Sequence, residues 1–145
     1  MTSQGIVDSP NEWVADHIRR YVESNGEDGH LWRGVTTLLL TTVGRKSGVR
    51  RRTALIYGRD GDRYIIVASK GGHPVNPLWY ENLVAQPKVE IQVGADVFAA
   101  RAMTIIDDAD YDRQWSMMVA IWPGFDEYKL KTARQIPLVE LVRLD

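Results

Sequence analysis

The densest chemical signal in the chain is Gly44-Arg45-Lys46-Ser47-Gly48-Val49-Arg50-Arg51-Arg52-Thr53, which places five of the 18 Lys and Arg residues within eight positions. Glycines on either side of the Arg-Lys-Ser triplet permit positive φ and expose backbone N–H groups, while guanidinium forks suit bidentate pairing with phosphate or carboxylate. The same composition also fits a solvated hairpin loop or a nucleic-acid patch. A Walker A loop is excluded, because that motif needs Gly directly before Lys-Ser/Thr and a helix after it, whereas Arg45 precedes Lys46 and a strand pattern follows.

Two further segments carry chemistry. Ser69-Lys70-Gly71-Gly72 leaves a strand pattern and leads into Asn76-Pro77-Leu78-Trp79-Tyr80; paired glycines let a flat ligand approach the backbone, and Trp79 is either a planar support or core. In Trp122-Pro123-Gly124-Phe125-Asp126-Glu127-Tyr128 three aromatics recur at offsets of three, to line a pocket or to pack. Conventional catalytic sets are missing: His17, His30 and His73 lack metal-ligand spacing, so no metal site is expected, and there is no Gly-x-Ser-x-Gly elbow or Gly-x-Gly-x-x-Gly turn. An enzyme built this way needs a cofactor to supply its reactivity.

The elements that must position these residues follow from pattern. Ser9 as N-cap, Pro10 at the first helical position and Glu12 predict a helix carrying the stripe Trp13, Val14, His17, Ile18, Tyr21 and Val22. Strands are expected over 35–43, 52–57 and 63–69, the last two joined as a hairpin by Asp60-Gly61. Asn76 and Pro77 should open a short helix ended by Pro87, followed by paired strands over 89–93 and 97–106. Asp107 or Asp108 caps a helix to about Ile121, a short helix runs over 126–134, and a last strand covers 138–144. Hairpins rather than alternating βα units favour an antiparallel sheet or barrel with appended helices.

With 145 residues the chain suffices for one domain with an apolar core, and a net charge of −1 argues against a nucleic-acid partner. Without cysteine there is neither a disulfide framework nor a thiolate metal site, which suits the cytoplasm. No stretch approaches the roughly 20 apolar residues of a transmembrane helix, and Met1 to Pro10 lacks the pattern of an export signal.

In this order and spacing, the motifs over 39–48, 67–72, 76–83 and 136–139 resemble the deazaflavin (F420)-dependent nitroreductase family of actinobacteria, the split β-barrel F420H2-dependent reductases. The resemblance implies an α+β, mainly β fold: an antiparallel, FMN-binding-like split β-barrel over 31–145, preceded by a helical segment over 1–30 that serves as lid or packing. It implies that Arg45, Lys46 and Arg51, with Ser47, hold the phosphate and glutamate tail of F420. Thr53, Ala54 and Leu55 with Ala68, Ser69, Lys70, Gly71 and Gly72 would flank the ring, supported by Pro77, Leu78 and Trp79. The substrate pocket would comprise Trp13, Ile56, Trp122, Phe125 and Tyr128, with Tyr128 the catalytic candidate for orienting the acceptor or donating a proton. The resemblance implies hydride transfer from the reduced deazaflavin to a small apolar acceptor, a quinone, an enone or a nitroaromatic; Trp122, Phe125 and Ile56 stand where nitroreductase relatives carry tyrosines, and the more apolar pocket shifts the expectation toward the quinone and the enone. An FMN-binding split-barrel oxidoreductase and a non-catalytic F420 carrier are the alternatives. The stripe around Trp13 is a lid, a peripheral membrane contact or core, and the chain acts as a monomer or a homodimer.

Overall fold

The computed structural model describes residues 5–72 and 75–144. The chain runs β1 (Ile6–Asp8), α1 (Glu12–Glu23), β2 (Leu31–Trp32), β3 (Val35–Val43), β4 (Arg50–Ile56), β5 (Gly58–Asp60), β6 (Arg63–Val67) and a 3-10 turn (Lys70–Gly72). It continues through α2 (Leu78–Ala85), β7 (Lys88–Val93), β8 (Asp96–Thr104), α3 (Asp108–Ile121), α4 (Gly124–Leu130) and β9 (Leu138–Arg143). The strands form one open sheet in the order β1-β4-β3-β7-β8-β9-β6-β5, with β2 paired to β3. Every pairing is antiparallel except β1 with β4. The mainly β architecture with appended helices is thus present, and the sheet stays unclosed.

Period-two alternation distributes the strands' side chains between cores. Leu38 and Leu40 of β3 point into the barrel with Ile66, Ile91, Val139 and Leu141, while Leu39 faces the other way and meets Ile18 and Tyr21 of α1. In β6 the split repeats: Ile65 and Val67 pack beneath α3 and α4 with Trp115, Met118 and Phe125.

Four expectations about the elements need correction. The strand holding Thr53 does not pair with 63–69; the Asp60-Gly61 turn joins β5 to β6, and β4 pairs with β3. The break falls at Tyr57, next to Gly58, where a Cβ would meet Met117 Cε at 2.7 Å and Met118 Sδ at 2.9 Å, so α3 packs directly on the glycine. The cap of α1 is Asn11, whose Oδ1 accepts from the backbone N–H groups of Trp13 and Val14. Ser9 is held back because its N–H still donates to Arg52 O at 3.0 Å, continuing the pairing of β1. Asn76 does not cap α2, since its Oδ1 accepts from Arg134 Nη1 at 2.8 Å, and Pro77 occupies the cap position without a side-chain bond. Asp107 does cap α3, and α4 spans Gly124–Leu130 rather than 126–134.

Two polar anchors hold the layers. The buried Tyr21 hydroxyl accepts from Gly94 N–H at 2.8 Å and lies 3.0 Å from Thr37 O, tying α1 to β3 and the β7–β8 turn; burial pushes its pKa up to about 12. Arg63 pairs with Asp60, Asp110 and Glu140, and Gln114 donates to both aspartates. The Arg63 bond, followed by that from Gln114, holds the Asp110 carboxyl well below the usual carboxylate range.

A depressed carboxylate pKa contributes stability that is complete above the ordinary carboxylate range and is lost as pH falls through and below it. Asp110→Asn is therefore expected to lower unfolding free energy by about 1–3 kcal/mol at pH 7. The gap to wild type should narrow toward pH 3, as urea melts at the two pH values will test. Tyr21→Phe, which leaves Gly94 N–H and the imidazole of His30 without that hydroxyl, is expected to cost about 1–2 kcal/mol in the same assay.

Candidate functional site

Beside β4 lies a cavity of about 790 Å³, within the usual span of small-molecule sites, roughly 300–1,000 Å³. A second pocket near Val22, Leu39 and Arg52 holds only about 100 Å³, too little for a flat tricyclic ligand. Thr53, Ala54, Leu55 and Ile56 of β4 form one wall of the large cavity, and Val67, Ser69 and Lys70 at the exit of β6 form another. Pro77 and Trp79 close the α2 end, while Trp122, Phe125 and Tyr128 come from the α3–α4 corner. The remaining wall is α1 and the chain entering it, through Ser9, Asn11, Trp13, Val14 and His17, with Trp32 and Thr37 beside them.

Backbone geometry fixes the β6 exit. Arg134 lies in the α4–β9 connection and donates through Nη2 to Ser69 O at 2.8 Å and Ala68 O at 3.2 Å, while its Nη1 holds Asn76. Desolvation lowers its pKa, the expected cost of taking a guanidinium from water to satisfy carbonyl groups. Lys70 takes φ +46° and Gly72 φ +83°. A Cβ on Gly72 would lie 2.7 Å from Tyr128 O, so the absence of a side chain lets the turn rest against the end of α4 that carries Tyr128. Trp79 packs against the barrel core and meets Tyr80 edge-on, and the Tyr80 hydroxyl is 2.9 Å from Thr104 Oγ1.

A continuous aromatic bridge lines the cavity. Trp13 and Trp32 meet edge to face at 5.6 Å between centroids, and Trp32 and Trp122 lie 5.1 Å apart. Among the side chains lining the cavity, the titratable ones are His17, Lys70 and Tyr128, and none is a carboxylate. Its charge balance therefore favours an anionic or neutral guest over a cation.

The cationic turn stands at the other end of β4. Gly44 N–H donates to Val49 O, Gly48 N–H to Gly44 O, and Val49 N–H to Ser47 Oγ. Arg45 N–H donates to Asn82 Oδ1 of α2, a buried amide that also donates to Thr42 Oγ1. Arg45, Lys46 and Arg51 are exposed, and none forms an ion pair among the described residues. Arg50 and Arg52, by contrast, are engaged with Glu90 and Asp8. Residues 51, 53 and 55 share one face of β4 at roughly 6.5–7 Å intervals, so a line of side chains leads from Arg51 to the cavity wall at Thr53 and Leu55.

Of the residues singled out in the sequence, the cavity gathers Trp13, Thr53, Ala54, Leu55, Ile56, Ser69, Lys70, Pro77, Trp79, Trp122, Phe125 and Tyr128. Arg45, Lys46, Ser47 and Arg51 form the separate cationic end. Ala68 is buried behind the wall, Gly72 is packed on α4, and Leu78 points largely to solvent, with 69% of its surface exposed; Gly71 belongs to the 3-10 turn. Sequence reasoning missed Trp32, on a two-residue strand with no pattern to mark it, and Ser9, Asn11, Thr37 and Arg134. It placed Val14 and His17 on the α1 stripe without assigning them to the pocket.

The comparisons agree with this geometry. The F420H(2)-dependent quinone reductase family matches residues 13–143. An F420H(2)-dependent quinone reductase of Mycobacterium tuberculosis strain H37Rv is 44% identical over 130 residues, covering 88% of this chain and 87% of that protein. A solved F420-H2 dependent reductase superposes with TM-score 0.66 at 36% identity, over 72% of this chain and 92% of its own. A structure described as a domain-swapped dimer gives TM-score 0.69 at 35% identity, over 92% and 99%. HutZ of Vibrio cholerae, at 18% identity and TM-score 0.58 over 75% of this chain and 82% of its own, shares the fold alone. Matched over most of its length by family and relatives alike, the chain belongs to the F420H(2)-dependent quinone reductase family, a split-barrel oxidoreductase family whose cofactor is coenzyme F420, so that FMN is not required.

Proposed function

We propose that this protein seats the deazaflavin ring of F420 in the cavity beside β4, holds the cofactor's anionic tail at the Arg45–Arg51 turn, and presents a quinone to the exposed ring face. The supporting observation is the continuity of the two ends: an apolar cavity without lining carboxylates and a turn whose Arg45, Lys46 and Arg51 form no ion pair among the described residues, joined along one face of β4.

The residues fit the group. When bound, reduced F420 supplies a hydride, and the protein supplies position and dryness. Ser69 and Lys70, fixed by Arg134, offer backbone and an ammonium beside the ring. Leu55, Ile56 and Val67 exclude water, and the tryptophan bridge offers a flat apolar surface for an aromatic acceptor. Burying about 200 Å² of ring at roughly 25 cal/mol/Å² contributes on the order of 5 kcal/mol before binding costs. Exposed ion pairs contribute about 0–1 kcal/mol each, so the turn steers and selects the tail while the ring supplies most of the affinity. Tyr128 reaches the same cavity from α4 and serves to orient the acceptor.

We further place the protein in the cytoplasm, on its lack of cysteine and its family; no helix among the described residues is long and apolar enough to cross a membrane. Peripheral membrane contact is a further part of the proposal, with the large apolar side chains of Trp13 and Leu31 exposed. The domain-swapped relative supports a homodimer over a monomer.

Titration of the purified protein with F420 is expected to quench tryptophan fluorescence at micromolar ligand, with FMN far weaker; equal affinity for both would overturn the cofactor assignment. The double variant Arg45→Ala/Lys46→Ala should weaken F420 roughly tenfold and flatten the salt dependence of binding. Menadione should reoxidise bound F420H2 in stopped flow, and binding without acceptor-dependent oxidation would point to a carrier instead. Tyr128→Phe should raise KM for menadione several-fold, and an unchanged KM and kcat would remove the role given to Tyr128.

A further inference from the structure

His17 is buried, with 5% of its surface exposed, and lines the same cavity. Its Nε2 is 2.7 Å from Gly29 O, a group that only accepts, so Nε2 carries a proton in either charge state. The Cδ2–Nε2 edge lies against Gly29, where a Cβ would come within 3.1 and 3.2 Å of those two atoms; Gly29 has φ +117° and leaves the ring room. Nδ1 lies on the opposite edge of the ring. It has no hydrogen-bond partner among the described residues, yet no buried side-chain nitrogen or oxygen among them lacks one. Nδ1 is therefore accessible, and the surface His17 presents is the cavity.

We propose that His17 is a catalytic residue of this chain, its Nδ1 hydrogen-bonding the quinone oxygen and delivering the proton that completes reduction. This rests on the quinone-reductase reading. A quinone needs two electrons and two protons to become a hydroquinone. Hydride from the reduced cofactor brings both electrons and one proton and leaves the cofactor oxidised. In the second step the Nδ1–H bond of the imidazolium breaks as an O–H bond forms on the acceptor anion, leaving neutral imidazole that recovers a proton from water at the mouth.

The surroundings suit this role. Trp13 meets the ring edge-on at 6.3 Å and Tyr21 lies at 6.4 Å on the same helix. From β3, the Thr37 hydroxyl donates to the same Gly29 carbonyl at 2.7 Å. His30, on the loop before β2, contacts the Tyr21 hydroxyl rather than His17. Lys70 and Tyr128 are the other titratable groups lining the cavity. Asp16, Arg19, Arg20 and Asp28 pair among themselves on exposed surface.

His17→Gln tests the proposal, because its amide N–H can keep the bond to Gly29 O while losing the titratable Nδ1. With F420H2 and menadione, wild-type kcat/KM should show a limb on which it falls as pH rises. The variant should be about 10- to 100-fold slower at pH 6 and lack that limb. A wild-type-like rate and pH profile in His17→Gln would overturn the role of His17 and leave the quinone-reductase reading intact; wild type that fails to turn over would overturn that reading. A second measurement is independent of turnover and of the variant's folding. With ¹⁵N-histidine-labelled wild type and no cofactor, the His17 resonances should report a protonated Nε2 at every pH, and at pH 6 Nδ1 should shift on adding menadione. A neutral tautomer protonated on Nδ1 alone, or an Nδ1 unmoved by saturating menadione, would overturn the proposal.

Discussion

The antiparallel ladder between β3 and β4 is the constraint from which the site follows. Its register runs from Thr37 opposite Ile56 to Val43 opposite Arg50, so seven consecutive pairs lock the cationic turn at one end and the cavity wall at the other. Strand pairing fixes where the two features stand in the sheet, because a slip of one residue would exchange the faces of β4 and carry Arg51, Thr53 and Leu55 together to the opposite side. Leu55 faces the barrel core, Ala54 the α1 contact and Ile56 the cluster under α3, so the strand is gripped from three directions. Around this strand the other elements act as walls, and their own anchors are polar: Tyr21 for α1, Arg134 for the β6 exit, Asn82 for the turn.

Much of this was legible in the sequence because the signals are local. The run of β-branched and apolar residues over 35–43 became β3 with the same limits, Asp107 capped α3, and the glycine-bounded cations became the β3–β4 turn. What stayed hidden depends on partners distant in the chain. Nothing around Asn76 signals that its side chain is claimed by Arg134, 58 residues later, and nothing near Ser9 shows that its N–H is held by Arg52. The hairpin at Asp60-Gly61 was readable as a turn, yet its first arm was misassigned because the decisive crowding at Gly58 comes from α3.

The pocket shows the same division. Its aromatic and glycine-rich segments announce themselves by composition, while Trp32 and Thr37 reach the cavity only through the pairing of β2 and β3. Helix α1 unites two roles that looked like alternatives: Ile18 and Tyr21 are fully buried against the barrel, and Trp13, Val14 and His17 of the same helix form a cavity wall. Residues spaced by four along one helix thereby couple the packing of the N-terminal segment to the shape of the binding space.

An unclosed sheet leaves two rims with unpaired amides, and here both are strands of three residues, β1 and β5. So short a rim offers little template for another chain, and Arg59 and Asp60 load one of them with charge. The barrel can thus remain open without inviting strand-to-strand pairing along its rims.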